Sequence, residues 1–116
     1  MKRSDSLRRK KEFRYTYRVG RSASTGHRYL VLVSARSRQA EPRIGFSVSK
    51  KLGTAVVRNR VKRRLREAVT PLIPGIKGHV NIIFIAREPI VEAPFLEIRR
   101  AMELTLRRAG LLKDAN

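Results

Sequence analysis

Apolar residues recur along this chain with two periods. In KKLGTAVVRNRVKRRLREAV, Lys50 to Val69, the positions Val57, Val61, Leu65 and Ala68, with Leu72 beyond, step by four, four, three and four. That is the spacing of an apolar stripe on a helix. Thr54 suits its N-cap, and the helix is expected to run to Thr70, because Pro71 disfavours helical geometry in the residue before it. A period of two marks IGFSVS, which sends Ile44, Phe46 and Val48 to one face of a strand and Gly45, Ser47 and Ser49 to the other. VNIIFIA, Val80 to Ala86, is apolar at nearly every position, as expected of a strand covered on both faces, and is the candidate centre of the sheet. Phe95, Ile98, Met102, Leu106 and Ala109 return to helical spacing, and Gly110 suits the C′ position of that helix.

The remaining segments complete the order. Ser4 and Asp5 are expected N-caps of a first helix that runs through Arg18 and ends at Gly20, with Leu7, Phe13, Thr16 and Tyr17 available to one face. HRYLVLVSA, His27 to Ala35, reads as a strand, and RSRQAEPR as a polar turn in which Pro42 bars continuation. The result is α-β-β-α-β-α in one domain, 1–116, long enough for a single core.

Charge changes the picture. Lys and Arg number 28 against 9 acids, a net +19, and a compact chain tolerates such self-repulsion poorly unless a polyanion relieves it. Nucleic acid is the expected partner. No apolar run approaches the ~18 residues of a spanning helix, and MKRSDSLRRKKEF has no apolar signal-peptide region, so no membrane partner and a cytoplasmic location are expected. The absence of cysteine closes thiolate, disulfide and zinc-knuckle chemistry.

At 100° per residue, Asn59, Arg63 and Arg66 lie opposite the apolar stripe, Lys62 and Arg60 flank them, and Arg58 and Arg64 stand at the borders. Lys and Arg are ordinary solvent-facing helix residues, but such helices usually intersperse Glu, and here only Glu67 is available. The face therefore reads as a phosphate-binding surface, with Lys51 in the loop that leads to the helix N-terminus. The acids are scattered, and His27 and His79 lack a metal-ligand spacing, so neither catalytic nor metal-binding residues are expected.

RIGFSVSKKLGTAVVRNRVKRRLREA, with Arg58-Asn59-Arg60 at its core, closely resembles the signature of the bacterial ribonuclease P protein subunit. SLRRKKEFRYTYRVGRS resembles that family's first helix, and NIIFIAREP its last strand. The resemblance implies an α/β (α+β) two-layer sandwich like the second domain of ribosomal protein S5, with a left-handed β-α-β crossover through the basic helix. It implies a ribonucleoprotein endonuclease that removes the 5′ leader of precursor tRNA. In that enzyme RNA and Mg2+ held mainly by RNA do the chemistry, while the protein binds both the catalytic RNA and precursor tRNA, with no DNA expected. Carried onto this chain, Lys51, Arg58, Asn59, Arg60, Lys62, Arg63 and Arg66 would bind catalytic RNA, and Phe13, Tyr17, Ser47 and Ser49 the leader. Val33 stands where many relatives place an aromatic on the first strand, and, with a small length change after Gly20, Tyr29 is the alternative contributor; neither is assigned to the leader. A ribosomal or chaperone-like RNA-binding protein would account equally well for the charge, but not for the Arg58 region.

Overall fold

The computed structural model describes residues 1–20 and 25–113. Four strands, β1 (Thr25–Gly26), β2 (Leu30–Arg36), β3 (Arg43–Ser47) and β4 (Val80–Ala86), form one sheet in the order β1-β2-β4-β3. Helix α1 (Lys10–Gly20) precedes them, α2 (Ala55–Val69) joins β3 to β4, and α3 (Phe95–Arg108) follows. β2 pairs antiparallel with both β1 and β4, whereas β3 and β4 are parallel, which makes α2 the crossover between adjacent strands.

The apolar run of β4 lies between β2 and β3, and six of its seven residues are buried, the interior position its composition requires. One face of the sheet, including Leu30, Leu32, Ile44, Ile82 and Phe84, packs against Val61, Leu65 and Ala68 of α2 and Ile98, Met102 and Leu106 of α3. Complete burial of a side chain such as Leu65 contributes about 1.5–3 kcal/mol, so the stripe commits one side of α2 to the core. The Thr54 hydroxyl caps α2 by accepting from the Val57 N–H at 3.4 Å. Gly110, at φ 72°, ends α3: its N–H donates to the Arg107 carbonyl and the Leu111 N–H to that of Leu106, both bonds of a Schellman cap.

α1 lies on the reverse face, chiefly over β2 and β4. Gly20 permits close approach there, since a Cβ at that position would lie 2.2 Å from the Ser34 carbonyl oxygen. The helix starts later than its capping signals suggest. Ser4 and Asp5 belong to a preceding 3-10 turn, Arg3–Asp5, in which the Asp5 carboxylate accepts the Lys2 N–H at 3.0 Å. Buried Leu7 then donates its N–H to the Ile44 carbonyl, drawing the segment against β3 before a helix can begin. The Arg9 N–H instead meets the Glu12 carboxylate at 3.3 Å.

Two further boundaries differ from the sequence reading. His27 to Tyr29 form a turn rather than the start of the strand, because Thr25 and Gly26 fold back to pair with Leu32 and Val31. β3 stops at Ser47, since Ser49 enters a 3-10 turn, Lys50–Leu52, that buries Leu52. The Gly45-Ser47-Ser49 alternation is therefore broken at its last member.

Candidate nucleic-acid interface

On α2, Asn59, Arg60, Arg63 and Arg66 are exposed, as is Lys51 before it, while Arg58 and Lys62 are half-buried. The helix thus presents cations opposite its buried stripe, in the arrangement its spacing requires. Two arginines are held in place: Arg60 Nη2 donates to the Val91 carbonyl at 3.3 Å and Arg64 Nη1 to the Ala93 carbonyl at 3.2 Å. Each uses one of five guanidinium donors in that bond, so the forks are oriented while retaining donors for an anion. Arg60, Arg63 and Arg64, with Glu67 and Phe95, line a shallow depression of about 640 Å3. Periodicity could not reveal the tethers of Arg60 and Arg64, because the carbonyls come from a segment about thirty residues away. Arg58 Nε is buried without a hydrogen-bond partner among the described residues.

A second surface lies across the sheet. Gly45, Ser47, Ile83 and Ile85 share the face that carries α1, as the register Gly45↔Ile83 and Ser47↔Ile85 requires. Phe13 descends from α1 onto Gly45, where an added Cβ would lie 2.5 Å from Phe13 Cζ. The Phe13 and Tyr17 rings have centroids 6.5 Å apart at an interplanar angle of 39°, and both side chains are half-buried. Aromatic surface, a glycine floor and the half-buried Ser47 therefore meet along one side of α1. Ser49 is exposed beyond the strand and shares a depression of about 350 Å3 with Lys51, Arg87 and Glu88. The structure accordingly groups Ser49 with Lys51 at the C-terminal ends of β3 and β4, and adds Arg87, which the sequence pattern did not single out.

Val33 and Tyr29 take different sides. Val33 is buried beneath α1, beside Gly20. Tyr29 joins the core on the α2/α3 face, and its hydroxyl donates to the Glu97 carboxylate at 2.5 Å. That bond, reinforced by burial, raises the phenol above its usual pKa. His27 accepts the Tyr29 N–H at Nδ1, a local turn contact. Among the described residues no three His, Asp or Glu side chains gather as a metal site, and no helix is long and apolar enough to cross a membrane.

A family model described as Ribonuclease P matches residues 1–110. The chain belongs to the bacterial ribonuclease P protein family. Its sequence is 41% identical over 114 residues to the ribonuclease P protein component of Symbiobacterium thermophilum, covering 97% of each chain. It is 40% identical to that of Roseiflexus castenholzii, covering 99% of this chain and 93% of the relative. Among solved structures, the Staphylococcus aureus RNase P protein superposes with a TM-score of 0.84 at 32% identity, covering 94% of this chain and 98% of that one. The RNase P protein of Thermotoga maritima does so at 0.77 and 26% identity, covering 87% and 97%. These likenesses span the basic helix and both faces of the sheet, so the ribonuclease P family signature and the two surfaces belong to one fold.

Proposed function

We propose that this chain is the protein subunit of a ribonuclease P ribonucleoprotein that cleaves precursor tRNA endonucleolytically to release the 5′ leader and leave the mature 5′ end. It acts in the cytoplasm by binding, not by supplying reacting groups. Lys51, Arg58, Asn59, Arg60, Lys62, Arg63 and Arg66 hold the catalytic RNA, the arginine forks meeting phosphate oxygens through paired donors. Phe13 and Tyr17 stack on leader bases, Ser47 offers a hydroxyl along the same track, and Ser49 offers one beyond the strand end, beside Lys51. Stacking accepts any base, which suits leaders of varied sequence. Mg2+ in the holoenzyme is assigned to RNA ligands, and no step here runs through a protein-bound metal.

The observation that carries this reading is the separation of the two surfaces. The cationic face belongs to α2 on one side of the sheet, and the aromatic track to α1 on the other. One small protein can therefore hold an RNA on each face at once, with Ser49 and Lys51 sharing the depression at the strand ends. The test is the affinity of the holoenzyme for precursor tRNA as the leader is lengthened. The protein-dependent gain should grow over the first several leader nucleotides. An equal gain for a leaderless tRNA would remove the leader from the account.

A further inference from the structure

On the flank of α1 away from Phe13 and Tyr17 lies a depression of about 830 Å3. Tyr15 lines it, and residues two apart on a helix point to nearly opposite sides, so this space is distinct from the Tyr17 track. It sits where β3 and β4 begin, as its lining by Arg43 and Asn81 shows, at the opposite end of those strands from Ser49 and Lys51. Arg8, Arg9 and Lys11 add exposed cations. The single acid in the lining, Glu12, is already bound to Arg43 at 3.1 Å. Tyr15 is 38% exposed, and its hydroxyl donates to the Arg36 carbonyl at 3.1 Å.

Asn81 makes this more than a charged surface. It is only 5% exposed, and its Oδ1 has no hydrogen-bond partner among the described residues. Its register with Ala35 and Arg43 puts it on the α1 face, under the depression. A buried unpaired acceptor is destabilising, and such groups in native folds call for a donor. The terminal torsion of Asn has a broad well, so a small tilt of the amide brings that oxygen towards a donor that enters the depression. A phosphate dianion satisfies the cations but offers no hydrogen to Oδ1; a nucleotide offers both an anion and a donor.

We propose that this depression is a third RNA contact, holding one unpaired nucleotide whose phosphate meets Arg8, Arg9 and Lys11 and whose base amine or ribose hydroxyl donates to Asn81 Oδ1. The proposal rests on the ribonuclease P reading for its class of partner. The nucleotide comes either from the leader beyond the Phe13 track or from the catalytic RNA, and the experiment tells them apart.

The chain contains no cysteine, so Gln39→Cys, at an exposed position lining the depression, introduces a unique attachment point for an aryl-azide photocrosslinker. The labelled protein is assembled with catalytic RNA and precursor tRNA, assayed for cleavage, and irradiated. A crosslink is expected at an unpaired nucleotide, and the strand that carries it names the source. In parallel, Asn81→Leu removes the acceptor at nearly constant volume. It should leave the unfolding temperature unchanged or higher while weakening binding of the crosslinked RNA about fivefold or more, the opposite signs expected of a residue kept for binding. Should that variant fold poorly, Arg8→Gln combined with Lys11→Gln, both exposed, must weaken binding and lower the log-log salt slope by about 0.7, the worth of the one phosphate they hold. A holoenzyme that cleaves normally but gives no crosslink from Gln39→Cys, or wild-type RNA affinity in folded Asn81→Leu or in the double variant, overturns the site. Normal cleavage in the same sample keeps that failure separate from any failure of the ribonuclease P reading.

Discussion

Gly45→Ala places a methyl group where the Phe13 ring now rests, 2.5 Å from Cζ, 2.9 Å from Cε1 and 3.2 Å from Leu7 Cβ. Carbon atoms cannot sit so close, so something must move, and the end of the Phe13 side chain yields more readily than the strand. Two terms oppose each other in stability. Alanine restricts the unfolded chain, worth ~0.4–1 kcal/mol, while crowding costs ~1–3 kcal/mol, leaving a net loss of ~0–2.5 kcal/mol. Leader binding should suffer differently. If Phe13 stacks on a base, displacing it forfeits ~1–3 kcal/mol, which is roughly a five- to 150-fold loss at 1.4 kcal/mol per decade. The assay is equilibrium binding of precursor tRNA, with and without leader, to holoenzyme containing wild-type, Gly45→Ala, Phe13→Ala or doubly substituted protein. The loss should be confined to the leader-bearing substrate. It should also vanish in the Phe13→Ala background, where no ring remains to be displaced. A folded Gly45→Ala protein with undiminished leader affinity, or one that loses as much again in the Phe13→Ala background, would refute the assignment of Phe13 to the leader.

Asn59 is the uncharged residue at the centre of the cationic face, and Asn59→Ala leaves net charge unchanged while favouring the helix. If its amide bonds RNA, catalytic-RNA binding should weaken by about 0.5–1.5 kcal/mol in titrations at one salt concentration; wild-type affinity would reduce the face to bulk charge. Arg63→Gln should lower the log-log salt slope of that binding by roughly 0.7–0.9, and an unchanged slope would mean that Arg63 neutralises no phosphate. At alkaline pH, the Glu97 bond that raises the Tyr29 pKa yields a signed expectation. The raised group contributes stability that is fully present below the ordinary phenol range and lost as pH rises through the folded-state value. Denaturant melts should show that decline in wild type and a flatter profile in Tyr29→Phe, and coincident profiles would exclude the linkage.

Where neighbours in sequence decide the structure, the sequence was legible. The α2 stripe, its Thr54 cap, the β4 run and the Gly110 terminus each follow from local periodicity or backbone preference, and each is found in place. The errors lie where a distant partner decides. Ser4 and Asp5 carry a good capping signal, but a helix starting there would forfeit the Leu7–Ile44 hydrogen bond to β3. Thr25 and Gly26 have too few residues to show a period, and only pairing with β2 makes them a strand. In the candidate site, exposure of Asn59, Arg63 and Arg66 was readable from the helix angle alone. The carbonyl tethers of Arg60 and Arg64, the Phe13–Gly45 contact and the gathering of Ser49, Lys51 and Arg87 were not, because each joins segments tens of residues apart.

The proposed role, binding two RNAs while the catalytic RNA does the chemistry, is decided by turnover. Multiple-turnover cleavage of precursor tRNA by purified catalytic RNA at modest Mg2+, with and without this chain, tests it most directly. The expected results are slow turnover by the RNA alone, faster turnover with accurate release of the 5′ leader when the chain is added, and no cleavage by the chain alone. Unchanged turnover on addition of folded protein, or cleavage by the protein without the RNA, would contradict it.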